Sequence, residues 1–239
     1  GLDMGTTFTD QKGLSWVANG NAKLRTDVSK FGGAALQLDG TGDFIQTPHS
    51  SVFAMGGGDF TIEFWFYCDE TLNAGSGQKV FAAKWQDIGT KYEWIMDYYL
   101  GELRGIVESG SSRIIAGTTN FTAGNWYHVV WCRFAGIAYL FVDGVLLNSG
   151  AYSWAVTATS AVVTIGAKPN ATSGLNGRID EFRFTKGVGR YTAGFTPPVA
   201  AYPDAPPSGD PYWSNVVFLS HFDGADGATS FVDQKGHTF

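Results

Sequence analysis

At 239 residues the chain has length for one large all-β domain or two smaller ones, and a hydrophobic fraction of 44% supplies a core. A net charge of −6, with charged residues at only 16%, excludes the clustered Lys and Arg of a nucleic-acid footprint. No apolar run approaches the roughly 20 residues of a membrane-spanning helix, so helical membrane insertion is excluded as well.

The 32 glycines and the 15% aromatic content suit many short strands joined by tight turns. The opening GLDMG reads as the start of a processed or excised piece. Residues 34–38 alternate into the turn Asp39-Gly40-Thr41-Gly42-Asp43, and a strand at 44–47 follows. Residues 60–68 (FTIEFWFYC) are apolar at both parities, which predicts a central strand covered on each face. Further strands are predicted at 80–84, 93–98, 103–108 and 113–116, then at 126–134 and 138–142. Asp143-Gly144 is a hairpin signal leading into 145–147, and runs at 162–165 and 179–185 complete the set. No segment carries a helical period over a dozen residues, so the pattern predicts a two-sheet β-sandwich. Cys68 and Cys132 both fall inside such runs. A disulfide between them requires neighbouring strands, and two buried free thiols are the alternative.

Residues 197–210 are proline-rich and predict an extended linker. Beyond it, residues 224–236 (GADGATSFVDQKG) repeat residues 1–13 (GLDMGTTFTDQKG). Gly1, Asp3, Thr6, Phe8, Asp10, Gln11, Lys12 and Gly13 recur at the same spacing, 8 of 13 positions. An apolar run at 216–219 leads through Ser220 and His221 into the second copy and has no counterpart before the first. The expected organisation is a sandwich at 1–203 that lacks its first strand, a linker at 204–212, and at 213–239 that strand with the start of a second copy.

Six motifs carry a resemblance: HFDGADG (221–227), KFGGAALQLDGTGDFI (30–45), DFTIEFWF (59–66), NWYHVVWCR (125–133), LFVDG (140–144) and GRIDEFRFTKGVGRY (177–191). The closing FTPP at 195–198 also fits. With them the chain resembles laminin-G-like, concanavalin A-like modules of bacterial surface proteins and phage virions. The resemblance implies an all-β, two-sheet antiparallel jelly-roll sandwich whose first strand is displaced to the C-terminus. That strand belongs beside the last one, at 179–185, and without it the sheet would keep an exposed edge. Two closures are open: the chain's own C-terminal strand folds back, or it completes a neighbouring chain.

The resemblance also implies a structural Ca²⁺, because several relatives hold one between the first strand, the loop before the second long strand and the last strand. The matching positions are Asp223 with Gly224, then Asp39, Gly40 and Asp43, then Asp180; such hard oxygen donors suit calcium. The alternative is that Asp39 and Asp43 only stabilise turns. Catalytic relatives carry a Glu-x-Asp-x-(x)-Glu strand. Here Glu93-Trp94-Ile95-Met96-Asp97 lacks the middle acid, and Asp180-Glu181 are adjacent and so point to opposite faces, which argues against an enzyme. His49, His128, His221 and His237 have no zinc spacing, and the short GSGQ and GSSR segments lack a nucleophile elbow.

Sugar sites pair aromatic faces with a few polar groups. Trp85, Gln86 and Asp87, followed by Tyr92 and Trp94, give the densest such mix; Tyr98, Tyr99 and Trp154 are further candidates, whereas Trp65 and Trp126 read as core. Asn120 and Asn170 head glycosylation sequons, which matter only in a glycosylating host. The expected function is a non-enzymatic extracellular, cell-surface or virion-surface module for adhesion or carbohydrate recognition, with a surface glycan as partner. The alternative is a structural repeat that joins neighbouring copies of itself into a fibre or coat by strand exchange.

Overall fold

The computed structural model describes residues 7–10, 12–86, 91–108, 112–153, 155–203 and 210–229, with the backbone alone at 7–9, 91 and 92. Among these residues, one antiparallel sheet runs in the order β1 (Thr7–Thr9), β2 (Ser15–Asn19), β5 (Phe44–Thr47), β14 (Val162–Ile165), β7 (Lys79–Gln86), β8 (Lys91–Tyr99), β9 (Glu102–Glu108), β10 (Ser112–Thr118). The second runs β13 (Val145–Ala151), β12 (Ile137–Val142), β11 (Trp126–Phe134), β6 (Phe60–Cys68), β15 (Asn176–Lys186), β4 (Ala35–Asp39), β3 (Lys23–Arg25), and β16 (Val216–Ser220) also pairs with β15. The all-β sandwich expected from the sequence is what the chain forms. β1, β2 and β3 were not read from the sequence; β1 and β3, at three residues each, are too short to show alternation.

The two sheets bury a continuous aromatic core between them. On β6, Phe60, Ile62, Phe64, Phe66 and Cys68 point inward. Phe64 stacks on Phe182 with ring centroids 5.2 Å apart, and Phe60 meets Trp131 edge-on at 4.9 Å. Such pairs contribute about 0.5–1.5 kcal/mol each beyond burial. Trp131 also dictates Gly105 on the facing sheet, where an added Cβ would lie 2.3 Å from the indole ring.

The other parity of β6, which includes Thr61, Glu63 and Trp65, is buried too, as the apolar pattern required. The chain after β15 supplies the cover. Tyr191 and Phe195 stack at 3.8 Å over Phe141, while Tyr202 packs with Val216 and Leu219. Beneath this cover Glu63, fully buried, accepts Nε and Nη2 of Arg183 on one oxygen at 3.0 and 2.8 Å. Its other oxygen accepts the hydroxyls of Tyr191 and Tyr202 at 2.9 and 3.3 Å. Arg183 also donates to Asp210 at 3.1 Å, and Arg190 grips the same carboxylate at 3.0 and 2.8 Å. The linker is therefore anchored on both sides of residues 204–209, which lie outside the described residues.

Asp210 stands close before β16, and β16 pairs with β15 of its own chain, from Thr185↔Val216 to Phe182↔Ser220. β4 takes the first part of the same β15 edge, from Asn176↔Asp39 to Ile179↔Leu36. Between the two partners β15 bulges, and Glu181 adopts φ +53°. Its carboxylate accepts the Tyr202 N–H at 2.7 Å and meets His221 Nδ1 at 2.7 Å, fastening both the linker and the end of β16. The two cysteines are free. Cys132 pairs with Thr61 at the far end of β6 from Cys68, about 20 Å along the strand, too far for a disulfide.

Burial opposes ionisation of Glu63, but Arg183, His128 and Arg190 outweigh it and hold the carboxyl well below its ordinary value of 4.5. Its folded pKa is depressed, so the stability it contributes is complete above about pH 4.5 and is lost as the pH falls below that. Arg183→Met is expected to cost about 3–5 kcal/mol in urea unfolding, because it leaves a buried carboxylate unpaired. Glu63→Gln is expected to flatten the acid limb of a Tm-versus-pH curve.

Candidate functional site

Trp94, Met96 and Tyr98 belong to the core, so the pleat turns Ile95 and Asp97 to the outer face of the first sheet. There Val80, Ala83, Ile95 and Ile106 form a small apolar floor, with Trp85 half-buried against it. Trp94 pairs with Lys84 on the β7–β8 ladder, so alternation turns the next residue, Trp85, to the opposite face. The expectation that Trp94 serves a binding site is thereby corrected. Trp94 is 1% exposed, donates its indole N–H to the Phe53 carbonyl at 2.9 Å and packs edge-on to Phe184. Gln86 stays half-buried beside Trp85, while Asp87, Trp154 and the Tyr92 side chain lie outside the described residues. Tyr98 is a core residue; Trp65 is 5% exposed, on the covered outer face of β6.

A row of fixed polar groups crosses the floor from Trp85. Lys168 places its ammonium 5.0 Å from the Trp85 ring centroid and donates to Gln78 Oε1 at 2.6 Å. Gln78 in turn donates its amide N–H to Asp97. Arg104, directly across from Asp97 on β9, grips that carboxylate at 2.8 and 2.6 Å and lays its guanidinium 4.7 Å from the Tyr99 ring. Lys168 is positioned by a loop closed on β7, where the Val80 N–H donates to the Ser173 carbonyl and the Gly166 N–H to that of Phe81. Such a row has aromatic rings at both ends and, held around the buried Asp97, half-buried Lys168, Gln78 and Arg104 between them, groups of the kind that recognise polyhydroxylated ligands. Sequence reading missed Gln78, Asp97, Arg104 and Lys168 as site residues. Asp97 was read only for catalysis, and the Lys168–Gln78 contact spans 90 residues.

The acidic positions separate into two places. Asp43 accepts the N–H groups of Asn21 and Asp39, and Asp39 accepts that of Thr41, so both carboxylates are engaged in their own turn. Asp39 pairs with Asn176, four residues and about 13 Å along β15 from Asp180. Asp180 accepts the N–H groups of Lys30 and Phe31 at 2.8 and 3.1 Å, while its Oδ1 is buried without a hydrogen bond. Asp223 reaches the same loop, for a Cβ on Gly32 would lie 2.0 Å from its Oδ1. Gly224 follows it against Leu24. Burial first, and then the charges of Glu181 and Asp223, push the Asp180 carboxyl up to about 8. Asp180, with Asp223 beside it, fits a hard cation; Asp39, Gly40 and Asp43 do not converge with them. Among the described residues no three His, Cys, Asp or Glu side chains surround a common point, so backbone carbonyls would have to complete any shell.

The two acids nearest a hydrolase pattern are both engaged. Glu93 is fully buried against Lys84 at 2.5 Å and also accepts the Thr159 N–H, while Asp97 is held by Arg104.

Residues 39–188 match the model of a family described as the concanavalin A-like lectin/glucanases superfamily, Laminin_G_3. Among solved structures, the binding domain of botulinum neurotoxin serotype G matches with a TM-score of 0.57 and 12% identity, over 74% of this chain and 44% of that one. The binding domain of Paraclostridial Mosquitocidal Protein 1 matches with a TM-score of 0.56 and 14% identity, over 77% and 45%. Domain 4 of an extracellular GH43 arabinanase from Geobacillus stearothermophilus, solved with arabinotriose, matches with a TM-score of 0.52 and 18% identity, over 70% and 76%. At these identities the likeness is one of fold, and the chain spans less than half the length of the toxin binding domains. No curated protein matches the chain in sequence.

Proposed function

Because the chain belongs to the concanavalin A-like lectin/glucanase superfamily over residues 39–188, we propose that it is a non-enzymatic glycan-recognition module of an extracellular, cell or virion surface. The observation that carries this reading is the row from Trp85 through Lys168, Gln78, Asp97 and Arg104 to Tyr99 on the outer face of the first sheet. Trp85 offers a ring to the CH face of a sugar, and the half-buried Lys168, Gln78 and Arg104, held in place around the buried Asp97, offer polar groups to its hydroxyls. The arabinotriose held by the arabinanase domain supports the reading, as does the dependence of type C botulinum toxin entry on two ganglioside molecules. A hydrolytic role is disfavoured because Glu93 and Asp97 are each tied to a cation, whereas glycoside hydrolysis needs two carboxyl groups free to reach one bond. A glycan array followed by titration calorimetry tests the reading. Trp85→Ala is expected to weaken binding at least about tenfold with Tm unchanged within a few degrees. Equal binding by wild type and variant, or no binding to any glycan, would overturn it.

A structural calcium ion at Asp180 and Asp223 belongs to the same proposal, with carboxylate oxygens as ligands and the ion joining the end of β16 to the loop at 30–32. Calcium is expected to raise Tm by several degrees over a chelator control, because it binds the folded state alone. Asp180→Asn should abolish that rise and Asp39→Asn should keep it. A Tm indifferent to calcium would remove the site.

A further inference from the structure

The first copy of the repeated sequence is built into the sandwich. Thr7, Phe8 and Thr9 pair with Val17, Trp16 and Ser15 of β2. Asp10, 1% exposed, then closes a turn, accepting the N–H groups of Lys12 and Leu14 at 2.8 and 3.1 Å and the Trp16 indole at 3.1 Å. Gly13 supplies the φ of +85° that the turn needs.

The second copy enters the same sandwich from its other end. After β16, the Gly227 N–H donates to the Leu24 carbonyl at 2.8 Å and the Leu24 N–H to that of Ala228 at 2.7 Å. Asp226 accepts the Thr26 N–H at 3.1 Å and meets Arg25 at 3.1 Å. In the register of the repeat Asp226 corresponds to Asp3, Ala228 to Gly5, and Thr7 to Ser230. The second copy thus lies along β3 up to the position equivalent to Gly5, and the first copy occupies β2 from the position equivalent to Ser230. The fold uses one unit's worth of a sequence that the chain carries twice. The second copy also keeps the turn's chemistry, because Asp233, Lys235 and Gly236 reproduce Asp10, Lys12 and Gly13 at the same spacing.

We propose that the slot along β2 is an exchangeable docking site, filled either by residues 7–13 or by residues 230–236 of the same chain. In the register of the repeat, Ser230 follows Ala228 by two residues and is the counterpart of Thr7, the first residue of β1. Whichever copy is displaced leaves a spare strand and turn at that edge.

Cysteine trapping on the full chain tests this. Thr9 faces Ser15 in the ladder, and Val232 is the equivalent of Thr9. Ser15→Cys with Val232→Cys is expected to form a disulfide within one molecule, as the control pair Ser15→Cys with Thr9→Cys does. A control that crosslinks while the Val232 pair does not would overturn the proposal, and so would crosslinks only between molecules. A second measurement uses Tm. Asp10→Ala alone should lower it by less than half the loss, about 4 °C or more, seen when Asp233→Ala is added. Equal losses with and without Asp233→Ala would overturn the exchange.

Discussion

A carboxylate in the middle of the central strand of the second sheet organises the molecule. Glu63 has no exposure, and a charge placed there persists only if it is paired and hydrogen-bonded. Arg183, across the ladder on β15, supplies the charge; Tyr191 and Tyr202 supply the remaining hydrogen bonds. Both tyrosines come from the segment after β15, so satisfying Glu63 carries that segment over the outer face. Asp210, gripped by Arg183 and Arg190, then delivers the chain to β16 at the open part of the β15 edge. The covering of the sheet and the placing of β16 thus share one electrostatic cause.

The β15 bulge divides the consequences. It lets one edge serve β4 and β16 in succession and turns two adjacent acids to separate tasks. Glu181, at positive φ, fastens Tyr202 and His221, while Asp180 faces the loop at Lys30 and Phe31. Alternation alone would have sent this pair to opposite faces of a regular strand. The bulge is what gives each of them a partner.

The outer faces of the two sheets differ for the same reason. The second is sealed by the segment anchored on Glu63. On the first, the loop that carries Lys168 and Ser173 closes on β7 and leaves Trp85 half-buried and Tyr99 exposed beside the polar row. Recognition is proposed for this face because its polar groups are already fixed, so a ligand would meet them at little ordering cost.

Much of this was legible in the residues. The runs at 44–47, 60–68, 126–134 and 162–165 coincide with β5, β6, β11 and β14, because pleat alternation and Gly or Asp turns are local properties. The both-faced burial of β6 and the apolar run that forms β16 were equally readable. The direction of Trp94 was not, since alternation along β8 does not say which of its two faces meets the other sheet. Nor was the separation of Asp39 and Asp43 from Asp180 and Asp223, or the meeting of Lys168 with Gln78. The sequence by itself determined the longer strands and the sandwich, because each is written in residues a few positions apart, and it carried the repeat as a direct match of residues. Only the tertiary structure decided which side chains meet and that β16 completes its own chain, because those depend on bulges and buried charges whose partners are distant in sequence.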